Sequence, residues 1–339
     1  MTGTRMGISK LRVRRVGMMV ATIWLLVPGL ALGRQTPRPA LVVLNKDASE
    51  LAIVDPGTWT VVGRVATGQI PHEVAVSDDG KIAVATNYGP ERSGTTLSVI
   101  DLDAQKEIHR VELDELRGPH GIAFIAGKFY FTAEGSNSIA RYDAAKNAVD
   151  WRATTSQEGT HMLVGTADGG SIFTANIRSN SVSCMRVDTK TGRFKVAQVA
   201  VGKGPEGIDL SPDGGEVWAA NSGDGTVSII DAGSCRVIGA VDVKTKRSNR
   251  VKFTKDGKLV LISDLGAGEV VVVDAAARKE VRRLKLGSSV EGILPLPDGA
   301  RAVVAVSGDN KLAVVDLKAL EVLSTFETGK DPDGMGWRK

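Results

Sequence analysis

The sequence predicts an all-β, seven-bladed β-propeller. Three observations carry that expectation: a unit that returns about every 42 residues, four short strand-like segments in each unit, and a last, partial copy at the C-terminus whose missing strands stand at the start of the fold. Composition agrees. The 339 residues include 39 glycines and only 4% aromatics, which suits many short strands and tight turns better than long packed helices. With 42% hydrophobic and 24% charged residues, the chain has ordinary globular composition.

The unit is clearest at residues 204–214, Gly-Pro-Glu-Gly-Ile-Asp-Leu-Ser-Pro-Asp-Gly. Val217-Trp218-Ala219-Ala220-Asn221, then Thr226-Val227-Ser228-Ile229-Ile230-Asp231, then Arg236-Val237-Ile238 follow it. Each is a short run of β-branched or small apolar residues bounded by turn formers. The unit restarts at Pro71, Pro119, Thr160, Ser248 and Val290, and a final first strand begins at Pro332. Its three partners are the segments 41–44, 51–55 and 60–65. The ring is therefore expected to close by pairing the C-terminal strand with the N-terminal ones, with four antiparallel strands in each blade.

Much of the repetition is structural. Asp55, Asp101, Asp143, Asp188, Asp231, Asp274 and Asp316 end the third strands, where a carboxylate caps the backbone N–H groups of the next turn. Asp79-Gly80, Asp168-Gly169, Asp213-Gly214, Asp256-Gly257 and Asp298-Gly299 read as hairpin turns that require positive φ. Asn45, Asn87, Asn176 and Asn221 end second strands and read as turn residues. His109, in a run of charged residues, reads as a solvated residue of an outermost strand.

The pattern Pro-x-Gly-Ile/Val, Ser-Pro-Asp-Gly, Val-x-Ala-Asn and Thr-Val-Ser-Ile-Ile-Asp resembles the YVTN-family β-propeller repeat of exported bacterial and archaeal proteins. The resemblance covers residues 40–339. It implies the propeller fold but leaves function open, because propellers host binding, scaffolding and several chemistries. The chain is also similar to lactonase-type and streptogramin-lyase-type propellers, without a contiguous motif that transfers their catalytic residues.

Residues 1–33 read as a secretory signal peptide. Lys10, Arg12, Arg14 and Arg15 precede an apolar run from Val16, and Ala31-Leu32-Gly33 offers small residues for cleavage. An uncleaved membrane anchor is the alternative, since the run is about 18 residues. Residues 34–39 form a short linker, and 40–339 a single domain. Removing 1–33 takes away five basic residues and no acidic ones, so the net charge moves from +4 to −1. Such a domain lacks the positive charge of a phosphate-backbone binder, so nucleic acid is not an expected partner. A periplasmic or extracellular monomer, free of the membrane after cleavage, is expected. Cys184 and Cys235 fall in different blades, on a third strand and at a third-to-fourth-strand turn, and are expected to remain free thiols.

One aligned position escapes the structural account. The second residue of each first strand is His72, His120, His161, Glu206, Asn249, Glu291 and Asp333, at spacings of 48, 41, 45, 43, 42 and 42 residues. First strands line a propeller's axis, so these side chains are expected to converge at one channel mouth. Three readings stay open there: a polar, hydrated channel; a site for a small polar ligand or a partner's peptide; or a divalent or transition metal held by His72, His120, His161, Glu206 and Glu291. The longest loop on that face, residues 87–95, offers Tyr88 and Arg92 as a lid, and Arg178 and Arg250 as anion partners. A binding or scaffolding module is the leading expectation. The alternative is a metal-dependent lyase or a lactone or ester hydrolase with a ring histidine as general base.

Overall fold

A computed structural model describes residues 1–4, 36–188 and 190–339. The expected signal peptide lies outside the described residues. Seven four-stranded antiparallel sheets follow one another as blades. Blade I joins the innermost strand Pro332–Arg338 to Ala40–Asn45, Glu50–Asp55 and Thr60–Ala66. The innermost strands of blades II to VII are Pro71–Val76, Pro119–Ile125, Thr160–Gly165, Pro205–Leu210, Ser248–Phe253 and Val290–Pro295. Every restart read from the sequence is the first residue of one of these strands. The only helical segments among the described residues are the 3-10 turns Pro90–Arg92, Glu134–Ser136 and Ser307–Asp309.

The ring closes as expected. Leu41 lies opposite Trp337 and Val43 opposite Met335. Leu41 and Val43 also pack on Val303, Ala305 and Leu312 of blade VII, and Val42 and Leu44 on Val74 and Ala83 of blade II. The closing blade is thus seated on apolar side chains on both flanks, each buried side chain contributing about 2 kcal/mol. Arg338 is fully buried: its guanidinium donates to the Leu102 carbonyl at 3.1 Å and pairs with Asp103. Thr36, from the segment before the first strand, donates to the same carbonyl at 2.5 Å. Both ends of the domain are therefore fastened to one turn of blade II.

The repeated acids behave as turn caps. All seven third-strand aspartates accept a backbone N–H two or three residues on, from Asp55 with Gly57 at 2.8 Å to Asp316 with Lys318 at 2.7 Å. The hairpin glycines adopt positive φ, from 68° at Gly80 to 75° at Gly214. His109 is exposed on the outermost strand Lys106–Glu112. The asparagines correct the turn reading. Asn45, Asn87, Asn176 and Asn221 are buried, and Asn87 Nδ2 donates to Thr96 and Ser98 while its Oδ1 accepts the Gly68 amide. Asn45, through Thr328, and Asn87, through Gly68, tie the second and third strands to the segment entering the blade.

The cysteines correct a second expectation. Cys184 and Cys235 form a disulfide between blades IV and V, with Cα atoms 6.1 Å apart. The reason lies in the turn that Cys235 occupies, at φ 56°. Its counterparts lean on the preceding blade: Trp59 stacks on Phe326, and Arg278 reaches Glu216. Alignment placed Cys235 correctly but did not show that this turn position faces backward.

Candidate functional site

The seven second-position side chains do meet at one level of the channel, but they fill it instead of lining an open mouth. His120, His161, Glu206, Asn249 and Asp333 are buried, and His72 and Glu291 are half-buried. The next residue explains the crowding. In four inner strands it is glycine, and a Cβ at Gly121, Gly207, Gly292 or Gly334 would come within 2.2–2.9 Å of the next strand's backbone. The exceptions include Glu73 and Arg250, in blades II and VI. Arg250 Nε donates to Glu73 Oε1 at 3.0 Å, and a second guanidinium nitrogen bonds the same oxygen. Arg250 also donates to Asn249 Oδ1 at 2.9 Å and lies 3.6 Å from Asp333. A buried ion pair thus spans the channel below the ring.

From blade VI round to blade II, charge is satisfied internally. Lys46 pairs with Glu291 and lies 3.5 Å from both Asp333 and Asp331. Burial, and then the charge of Asp333, push Glu291 up to about 8. Burial acts against the Asp333 carboxylate as well, but Lys46 and Arg250 outweigh it and hold Asp333 at about 2. Burial likewise opposes the charges of Arg250 and Lys46, yet their acidic neighbours leave both firmly protonated.

Blades II to V are different. The imidazoles of His72 and His120 stand 4.7 Å apart, and those of His120 and His161 stack at 3.8 Å and 33°. Burial brings His72 down to about 4, and burial with the neighbouring imidazoles holds His120 well below its ordinary value, so both are neutral near pH 7. His161 Nδ1 lies 2.9 Å from Glu134 Oε2. Because a carboxylate only accepts, Nδ1 carries the proton. Tyr88 donates to Glu134 at 2.6 Å, Arg178 at 2.9 Å, and Arg92 stands 3.5 Å away. Burial would raise Glu134, but the bonds from His161 and Tyr88 outweigh it and hold it at about 2. Burial and the bond to Glu134 raise Tyr88, which stays a neutral donor. Four buried atoms at this level have no hydrogen-bond partner in the protein: His120 Nδ1, His161 Nε2 and Glu206 Oε2, which cluster in blades III to V, and Asp333 Oδ1, which faces the Arg250 guanidinium at 3.6 Å.

The donor set does not fit a metal. Among the described residues no group of three His, Cys, Asp or Glu is placed to hold an ion. The imidazoles pack against one another at tilted angles, His161 Nδ1 is taken by Glu134, Glu206 accepts from Asn249 at 2.7 Å, and Glu291 is taken by Lys46. Sequence reasoning found the ring, Tyr88, Arg92, Arg178 and Arg250, and missed Glu134, Lys46 and Glu73. Lys46, Tyr88 and Glu134 share one aligned position, the residue after the second strand, and Glu73 breaks an aligned row of glycines.

No curated protein sequence matches the chain. Solved structures share the fold. Kuenenia stuttgartiensis hydrazine synthase aligns at TM-score 0.72 and 20% identity, over 83% of this chain and 93% of its own. A candidate 6-phosphogluconolactonase from Bacteroides uniformis aligns at TM-score 0.75 and 14% identity, over 88% and 99%. A protein from Lactobacillus plantarum gives TM-score 0.73 and 14% identity, over 89% and 100%. The family model described as YNCE-like beta-propeller matches residues 121–301, more than half of the sequence, and the chain belongs to that family.

Proposed function

We propose that this protein is a binding propeller of the exported YVTN type, which recognises a small hydroxyl-bearing ligand at the entrance of its channel. The observation that carries the reading is the set of partnerless buried atoms, His120 Nδ1, His161 Nε2 and Glu206 Oε2, at one level of blades III to V. Buried polar atoms are nearly always paired, by protein, water or ligand. With Nδ1 bonded to Glu134, His161 Nε2 is left to meet a ligand hydroxyl, and Glu206 Oε2 accepts, so the ligand must bring a donor. Arg92, Arg178 and Arg247 stand half-exposed around this arc and suit an anionic substituent, which makes polyhydroxylated acids the best-fitting class. The interblade disulfide is in keeping with an oxidising compartment and with the signal-peptide reading of residues 1–33. Mass spectrometry of native protein tests the export reading: an N-terminus near Arg34 is expected, and intact residues 1–33 would refute cleavage.

A catalytic reading rests on one geometric fact, the Glu134–His161 pair. A carboxylate that fixes the imidazole tautomer leaves Nε2 free to accept a proton from a bound substrate, and this arrangement needs no metal. Hydrolysis or elimination of a bound lactone or ester, lost on both His161→Ala and Glu134→Gln, would convert the binding site into an active site. Turnover by either variant at the wild-type rate would dismiss it.

A further inference from the structure

Beyond the Glu73–Arg250 bridge the channel reopens. A cavity of about 360 Å³ is lined by the third to seventh residues of the inner strands, and none of the seven second-position side chains reaches it. It therefore lies on the opposite side of the bridge from the histidine arc and runs toward the face carrying the first-to-second-strand hairpins. Its size is that of a small-molecule pocket. Its walls are mixed, polar groups covering at least as much of them as apolar ones, with Phe124, Val164, Leu210 and Leu294 half-buried along it. Two charged pairs interrupt them. Glu73 and Arg250 form the floor and satisfy each other. Asp209 and Lys252 stand on the walls of blades V and VI and are not matched in the same way. Asp209 Oδ2 accepts the Phe253 amide at 2.8 Å, whereas the Lys252 ammonium reaches only Asp209 Oδ1, at 3.5 Å, with its side chain 28% exposed. A three-donor ammonium holding one long contact beside four half-buried apolar side chains is spare positive capacity next to accessible apolar surface.

We propose that this cavity is a second binding site, for a small amphipathic carboxylate whose headgroup pairs with Lys252 and whose hydrocarbon tail lies along Phe124, Val164, Leu210 and Leu294. The site is independent of the histidine arc, because the ion-paired bridge separates the two compartments. Its occupant enters from the hairpin face and meets the Glu73–Arg250 floor at full depth.

Isothermal titration of residues 34–339 with octanoate, kept below its aggregation threshold, tests the assignment, with octylammonium as the control of opposite charge. Octanoate should saturate at one per chain and octylammonium should not bind. Lys252→Met should weaken octanoate at least tenfold, the loss of one charge-assisted contact. Leu294→Trp, which fills the chamber from another strand, should abolish binding, and His161→Ala should leave it unchanged. The proposal is overturned if octanoate does not saturate, if octylammonium binds equally well, or if either Lys252→Met or Leu294→Trp, shown to be folded by its circular dichroism, binds within twofold of the parent.

Discussion

The two arcs of the channel ring are built from the same aligned position and solve the same problem in opposite ways. On the arc from blade VI to blade II, Arg250, Glu73, Asp333 and Lys46 bury charge against charge, Lys46 holds Glu291 as well, and the one atom without a hydrogen bond, Asp333 Oδ1, faces a cation. On the arc from blade II to blade V, imidazoles pack against one another and Glu134 is gripped by three side chains, yet His120, His161 and Glu206 keep unspent polar atoms. Buried charges left unpaired are costly, so the first arc is committed to holding the ring together. The second has capacity to spend on something else. Position in the repeat thus marks where function can be, and the neighbours decide which arc has it.

Deleting residues 331–339 removes the innermost strand of blade I, with Asp333 and the buried Arg338, and strips the cover from two blade flanks. The largest effect is expected here: loss of cooperative unfolding altogether. A truncated protein that melts within a few degrees of the parent would break the assignment of strand Pro332–Arg338. Next in size is Arg250→Met, which leaves Glu73 without its cation and Asp333 with Lys46 alone, and should cost about 3–5 kcal/mol in urea unfolding. The double change Arg250→Met with Glu73→Met should recover most of that loss, since it removes the stranded carboxylate too. No recovery would show that the bridge acts by something other than charge.

The histidine arc has the Glu134–Arg178 pair between blades III and IV, and the Cys184–Cys235 staple between blades IV and V. Replacing both cysteines by serine should lower stability by about 2–4 kcal/mol. Unchanged unfolding of the double variant would place the cysteines apart in solution. The smallest effects are in pH dependence, and the arcs should differ in sign. Glu291 titrates near 4.5 when unfolded and near 8 when folded, so its contribution is whole below about 4.5 and is lost as pH rises to about 8. His72 drops from 6.5 to about 4 on folding, so its contribution is whole above 6.5 and is lost as pH falls toward 4. Glu291→Gln should flatten the alkaline side of a stability profile and His72→Gln the acid side; a profile that either variant leaves unaltered contradicts the corresponding burial.

The fold was legible because a propeller repeats its turn chemistry: each Asp cap and each restart residue recurs once per blade, every restart opens an inner strand, and every Asp caps the turn after its third strand. The ring was legible for the same reason. What the repeat could not reveal is orientation across blades. Cys235 and Cys184 meet because one turn leans backward, and Glu134 reaches His161 from the neighbouring blade, so neither contact leaves a trace in a strand-by-strand alignment. Glu73 was visible as an exception to glycine, but only the closeness of the inner strands makes that exception meaningful.

The central claim is that spare polar capacity in blades III to V binds a ligand rich in hydroxyl groups. Calorimetric titration of residues 34–339 with polyhydroxylated acids and their neutral counterparts, beginning with gluconate, glucose 6-phosphate and glucose, tests it most directly. The account predicts saturable one-to-one binding by at least one acid, weakened tenfold or more by His161→Ala and by Glu206→Gln, with both variants melting close to the parent. Absence of binding across the series, or affinity retained in both variants, would contradict it.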